Sequence, residues 1–114
     1  MTNLIDLVEF RRKSKGKRVA FDRVELRLLL NVYSKRVMTG EWRDYAIDQH
    51  GSVAVFSVFR NSFDVPAFSV AKRNNGKTNE YVVLSGRRTL KRGQDLREVL
   101  TLFDKPLWVI AQKS

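Results

Sequence analysis

The chain reads as α+β: an antiparallel β-meander of four to five strands packed by two α-helices, behind a basic N-terminal arm. Three observations lead there. Apolar residues recur at spacings of three and four over Leu26, Leu29, Leu30, Tyr33 and Val37, and again over Leu96, Val99, Leu100 and Phe103, the period of a helix buried along one stripe. Between those two segments the period falls to two, the mark of a half-buried strand. Turn residues punctuate that middle region, above all Asn74-Asn75-Gly76, whose Asn-Gly pair is the strongest short hairpin signal.

Residues 1–20 form the arm. Arg11-Arg12-Lys13-Ser14-Lys15-Gly16-Lys17-Arg18 packs six cations into eight residues. Like charges repel and little of this tract can be buried, so the arm is expected to be flexible. Residues 21–114 are expected to form one domain, since 114 residues suffice for a single hydrophobic core.

The first helix announces itself. Asp22 and Glu25 have the spacing of a capping box, and Phe21 before the cap can staple onto Leu26. Gly40 is placed to stop the helix, and Lys35 and Arg36 suit the negative end of its dipole. At 100° per residue, Val24, Leu28 and Val32 form a second apolar stripe roughly opposite the first. Such a stripe needs a cover: the Leu4–Phe10 segment, the Leu107–Ala111 run, or a second copy of the chain.

The strands follow in turn. Tyr45 and Ile47 alternate with Asp44 and Asp48, then come Val53–Val58, Phe68 and Val70, Tyr81–Leu84 and a short last strand around Thr89-Leu90. The Val53–Val58 stretch is apolar on both faces, which places it inside the sheet. His50-Gly51, Asn61–Pro66, Asn74-Asn75-Gly76 and Ser85-Gly86 supply the links. Asp95-x-x-Glu98 offers a second capping pair, and Pro106 ends the second helix. Leu107-Trp108-Val109-Ile110-Ala111 is too apolar for an exposed tail and reads as a last strand or a packed extended segment.

Composition narrows function. The chain has no cysteine, which removes disulfides, thiolate chemistry and Cys-based metal sites and suits a reducing cytoplasm. No apolar run approaches the ~20 residues that cross a bilayer. The apolar stretch Leu4–Phe10 precedes the basic tract, the reverse of a signal peptide, and Asp6 and Glu9 spoil it as a lipid anchor. The expectation is a cytoplasmic protein without a membrane partner. The six glycines are scattered, with neither GxGxxG nor GxxxxGK[ST], so no phosphate-binding loop is present. The single histidine, His50, sits in a turn; no nucleophile elbow surrounds any serine. Asp44 and Asp48 share a strand face, a pairing able to hold magnesium, but Arg43 and Arg60 stand near to neutralise them. No catalytic residue, metal or cofactor is expected.

Charge is the positive signal. The formal net charge is +10. Residues 1–20 carry six Lys/Arg against two acids, residues 72–93 carry seven against one, and the remainder holds nine of each. Localised charge of this kind is the footprint of a polyanion site. The expectation is non-enzymatic nucleic-acid binding through phosphate contacts, to DNA or RNA, from Arg11, Arg12, Lys13, Lys15, Lys17 and Arg18 together with Lys72, Arg73, Lys77, Arg87, Arg88, Lys91 and Arg92. The alternative is a protein-interaction or regulatory module, a homodimer through Val24, Leu28 and Val32, with Phe63 as an exposed loop aromatic.

Several strings carry a resemblance: Phe21-Asp22-Arg23-x-Glu25-Leu26, Leu29-Leu30-Asn31-x-Tyr33, Gly40-Glu41-Trp42-Arg43-Asp44-Tyr45-Ala46-Ile47-Asp48, Val55–Arg60 and Leu90-Lys91-Arg92-Gly93. Over about residues 21–103 the chain resembles an uncharacterised family of short alphaproteobacterial proteins, a domain of unknown function. The resemblance implies a bacterial, cytoplasmic protein and supplies no binding or catalytic residues. Physically, Trp42 in that motif is expected to plug one end of the core, with Arg43 and Asp44 satisfying one another or nearby backbone; the other reading is a recognition surface built from Trp42, Arg43 and Tyr45.

Overall fold

The computed structural model describes residues 18–61 and 65–105. Most of the arm, Phe63, Pro106 and the Leu107–Ala111 run lie outside the described residues.

Helix α1 spans Arg23–Met38. Its capping box is complete: Asp22 Oδ1 accepts from Glu25 N at 2.8 Å, and Glu25 Oε1 accepts from Asp22 N at 2.8 Å. Each bond satisfies a donor that a helix start leaves orphaned. At the other end Thr39 caps and Gly40 takes φ +78°, a left-handed conformation that suits glycine and reverses the chain toward the sheet.

Five strands follow: β1 (Asp44–His50), β2 (Val53–Phe59), β3 (Phe68–Asn74), β4 (Asn79–Ser85) and β5 (Arg88–Gly93). Each pairs antiparallel with its sequence neighbour, giving the order β1-β2-β3-β4-β5. The meander expected from the sequence is therefore present with five strands. Strand β2 is interior, buried along its whole length, with β3 at the centre. Gly51 and Gly86, both at φ +61°, make the tight turns before β2 and β5. Between β3 and β4, Asn75 Oδ1 accepts from Lys77 N and Thr78 N, an Asx-type closure of the turn.

Helix α2 is only Leu96–Leu100, continued by a 3-10 turn over Thr101–Asp104. It has no capping box. Asp95 accepts from Arg97 N, and Glu98 instead pairs with Lys91 on β5 at 3.4 Å.

The main core lies between the helices and one face of the sheet. Leu29, Val99 and Phe103 meet Phe56, Val58, Val70 and Val83 there, joined by Val19 and Phe21 from the chain's entry. Val19 N also donates to Gly51 O at 3.0 Å, so the folded body already includes Val19. Trp42 is buried at the end of this layer, edge-on to Phe103 with ring centres 5.3 Å apart, as its motif implied. Its neighbours differ from expectation: Arg43 and Asp44 are exposed and make no ion pair with each other, and Arg43 is fixed through its backbone to Phe59 O and Tyr33 Oη. On the opposite face of the sheet Val53, Val55, Ala71, Val82 and Leu84 form a second apolar cluster.

Candidate nucleic-acid interface

The 72–93 cluster is built by β3, β4 and β5, and alternation along each strand sends its cations in different directions. Lys72 points toward α1. Its Nζ donates to Glu25 Oε1 at 2.6 Å and to Ala20 O at 2.9 Å, and the residue is 7% exposed. Tyr81, opposite Lys72 on β4, donates its hydroxyl to Glu25 Oε2. Burial, and next the bond to Glu25, push the Tyr81 hydroxyl pKa well above the ordinary tyrosine value. Glu25 thus serves twice, closing the helix cap and holding a buried lysine. A buried amine satisfied in this way is a clamp between helix and sheet.

Arg73 points to the other face, where its guanidinium forks onto Glu80, directly across on β4. Arg92 Nη1 approaches the second oxygen of Glu80 at 3.9 Å. Lys91 returns to the helix side and meets Glu98 and Thr101 Oγ1. Lys72 and Arg73, expected as phosphate contacts, are both buried and paired with a carboxylate of the chain itself. The acids that quench this cluster come partly from outside it, from Glu25, 47 positions before Lys72, and from Glu98, just beyond residue 93, which is why the segment looked so unbalanced when read alone.

The exposed members are split between the two ends of the sheet. Lys77 sits in the β3–β4 turn, at the end where Arg18 and Val19 enter beside Gly51. Arg87 in the β4–β5 turn and Arg88 at the start of β5 lie at the opposite end, separated from Lys77 by the length of β4, roughly 20 Å. Among the described residues no carboxylate contacts the side chains of Arg18, Lys77 or Arg87. Of the first cationic stretch only Arg18 is described, and it lies at the same end of the sheet as Lys77. Arg11, Arg12, Lys13, Lys15 and Lys17 lie outside the described residues.

The expected interaction stripe on α1 also divides. Val24 is 51% exposed, but Leu28 and Val32 are half-buried and pack against the main core. The stripe is mostly consumed by the chain itself. Exposed apolar surface lies instead on edge strand β1, where Tyr45 and Ile47 are 41% and 47% exposed. The edge position of β1 was the missed signal; its first-in-line place in a meander was enough to suggest it.

No chemistry gathers elsewhere among the described residues. No group of three or more potential metal ligands occurs there. His50 is exposed at the end of β1, and Glu41 is held by Arg36 and Thr39. The bond from Thr39, reinforced by Arg36 and opposed by burial, keeps the Glu41 carboxyl below its usual pKa. The core cavity between Leu29, Trp42, Phe56 and Phe103 measures about 10 Å³, space for about one water. No described helix is long and apolar enough to cross a membrane.

A family model for a protein of unknown function (DUF2794) matches residues 19–100. The chain belongs to the DUF2794 family. The DUF2794 match opens at Val19, the first core residue, and closes at Leu100, the last residue of α2, close to the span over which the resemblance was read. It contains the Glu25–Lys72–Tyr81 clamp and the whole sheet, and it leaves the basic tract outside. Searches of curated proteins and of solved structures found no match.

Proposed function

We propose that this DUF2794 protein binds nucleic acid without catalysis, through phosphate contacts made chiefly by Arg11, Arg12, Lys13, Lys15, Lys17 and Arg18, with Lys77 and Arg88 or Arg87 as lesser contacts at the two ends of the sheet. One observation carries the reading. Six cations crowd into residues 11–18, while in the folded body Lys72, Arg73, Lys91 and Arg92 each have a carboxylate partner. The densest run of positive charge is therefore residues 11–18, and Arg18 enters the body at the end of the sheet that carries Lys77. Lysine and arginine at that density release counterions from a phosphate backbone and read little sequence.

Salt titration tests it. If about five cations each meet a phosphate, log K against log salt falls with a slope of about −4 to −5 on duplex DNA and somewhat less steeply on single-stranded RNA. Replacing Arg11, Arg12, Lys13 and Lys15 by Gln brings the slope near −1, whereas Lys77→Ala changes it by about one unit. A flat salt response, or no binding at low salt, removes the reading.

A second reading, protein interaction, has its own support. Among the described residues β1 pairs only with β2, leaving seven residues of sheet edge unpaired with Tyr45 and Ile47 exposed on it. Antiparallel pairing of two copies about Ile47 sets Asp44 of one across from His50 of the other, a compatible pair. Sedimentation at micromolar concentration, with Ile47→Lys as the control, decides: a concentration-independent monomer excludes this dimer.

A further inference from the structure

The exposed face of α1 carries charge of a single sign. Arg23, Arg27, Asn31, Ser34 and Lys35 are all exposed, and at about 100° per residue they fall within roughly a third of the helix circumference. Helix α1 holds Arg23, Arg27, Lys35 and Arg36 against one acid, Glu25. Glu25 is buried and committed to Asp22 N, Lys72 and Tyr81. Arg36 is committed to Glu41 and to the carbonyls of Phe103 and Lys105. Arg23, Arg27 and Lys35 remain, and among the described residues none of them pairs with a carboxylate. Asp22 is engaged in the cap, and Asp104 lines the cleft it shares with Lys35 without an ion pair to it.

The helix itself gains nothing from this arrangement. Arg23 is its first residue, at the positive end of the dipole, where a cation is unfavourable. Arg23 and Arg27 stand four positions apart, where like charges repel. A face serving solubility alone mixes both signs. The charge tally along the chain hid this one, because the acids that balance it, among them Asp44, Asp48 and Asp95, belong to other elements.

We infer that this face of α1 lies along the phosphate backbone of a nucleic-acid duplex, with Arg23, Arg27 and Lys35 on phosphates and Asn31 and Ser34 as neutral donors between them. The inference rests on the nucleic-acid reading above and names the part of the folded body that meets the ligand. From Arg23 to Lys35 the helix rises about 18 Å. That length matches about five base-pair steps of a duplex. A rigid row of cations suits a rigid row of phosphates. Arg18 is exposed five positions before Arg23, so the basic tract joins the body at the same end of the helix. An anionic lipid surface is the rival ligand, but it needs an apolar face to insert. The apolar stripe of α1 is packed into the main core, and the exposed Val24 and Met38 stand at opposite ends of the helix.

Two triple variants of the full chain test it. One combines Arg23→Gln, Arg27→Gln and Lys35→Gln. The other combines Arg43→Gln, Arg60→Gln and Arg97→Gln, which removes the same charge from exposed positions elsewhere. At low salt the α1 variant should bind a DNA duplex of about 20 base pairs at least about tenfold more weakly than the wild type, and the second variant within about threefold of it. The α1 variant should melt no lower than the wild type, since it removes cations that the dipole disfavours. If it does melt lower, Arg27→Gln alone should still weaken binding while the second variant does not. Equal weakening by both triple variants overturns the inference, because net charge then suffices. Unchanged affinity of the α1 variant overturns it and leaves the proposed function standing, whereas a wild type that binds no duplex overturns both. A loss seen only on vesicles of phosphatidylcholine and phosphatidylserine in equal parts overturns it in favour of a membrane surface.

Discussion

At the scale of single residues, Glu25 has the most consequence. It closes the cap of α1, holds the Lys72 amine and accepts the Tyr81 hydroxyl, all at 7% exposure. Removing one partner from such a group costs far more than the pair contributes, because the remaining charge stays buried. Lys72→Ala should lower unfolding free energy by about 3 kcal/mol or more in urea titrations. Changing Glu25 and Lys72 together to Leu and Met should cost clearly less than the sum of the single changes, since no charge is then stranded. Tyr81 adds a pH dependence. Its folded pKa is raised, so its contribution is fully present below the ordinary value of 10.0 and is lost as pH rises above it. Urea midpoints should fall between pH 10 and 11.5, and Tyr81→Phe should flatten that fall. Glu41 acts in the opposite sense: its pKa is lowered, so its contribution holds above the ordinary 4.5 and fades as pH drops below it. Glu41→Gln should remove that part of the acid limb.

At the scale of elements, the signals that proved legible were local ones. The Asp22/Glu25 box, the Gly40 stop and the Asn75-Gly76 turn each depend on residues within four positions of one another, and each sits where the pattern put it. Asp22→Ala should therefore destabilise α1 by about 1 kcal/mol in thermal unfolding. Gly40→Ala should cost about 1 kcal/mol through backbone alone, since an added methyl there meets nothing within 4 Å. What the sequence hid was partnership across distance. Lys72 and Glu25 are 47 positions apart, and no periodicity links them. Glu98 misled at short range instead: its spacing after Asp95 suggested a cap, but its carboxylate turned back to Lys91, seven positions earlier. Alternation along β3 explains why Lys72 and Arg73, adjacent in the chain, serve different faces of the sheet. The candidate site was readable as a charge excess and unreadable as a surface, because quenching depends on which acids the fold delivers.

At the scale of the whole molecule, Lys72, Arg73, Lys91 and Arg92 are fastened into the fold by Glu25, Glu80 and Glu98, and the proposed binding role falls chiefly to residues 11–18. Neutralising the arm should alter affinity for nucleic acid and leave the melting temperature nearly constant, whereas Arg73→Ala should do the reverse; paired binding and thermal-unfolding measurements on the two variants check this. The strand order has a kinetic consequence as well. Because every strand pairs with the next one along the chain, and the β1–β2 connection is just Gly51-Ser52, much of the sheet closes through small loops. Ordering it demands little long-range search, so contact order is low for a β-rich architecture. Refolding by stopped flow should have a dominant fast phase, quicker than is usual for a sheet of this size.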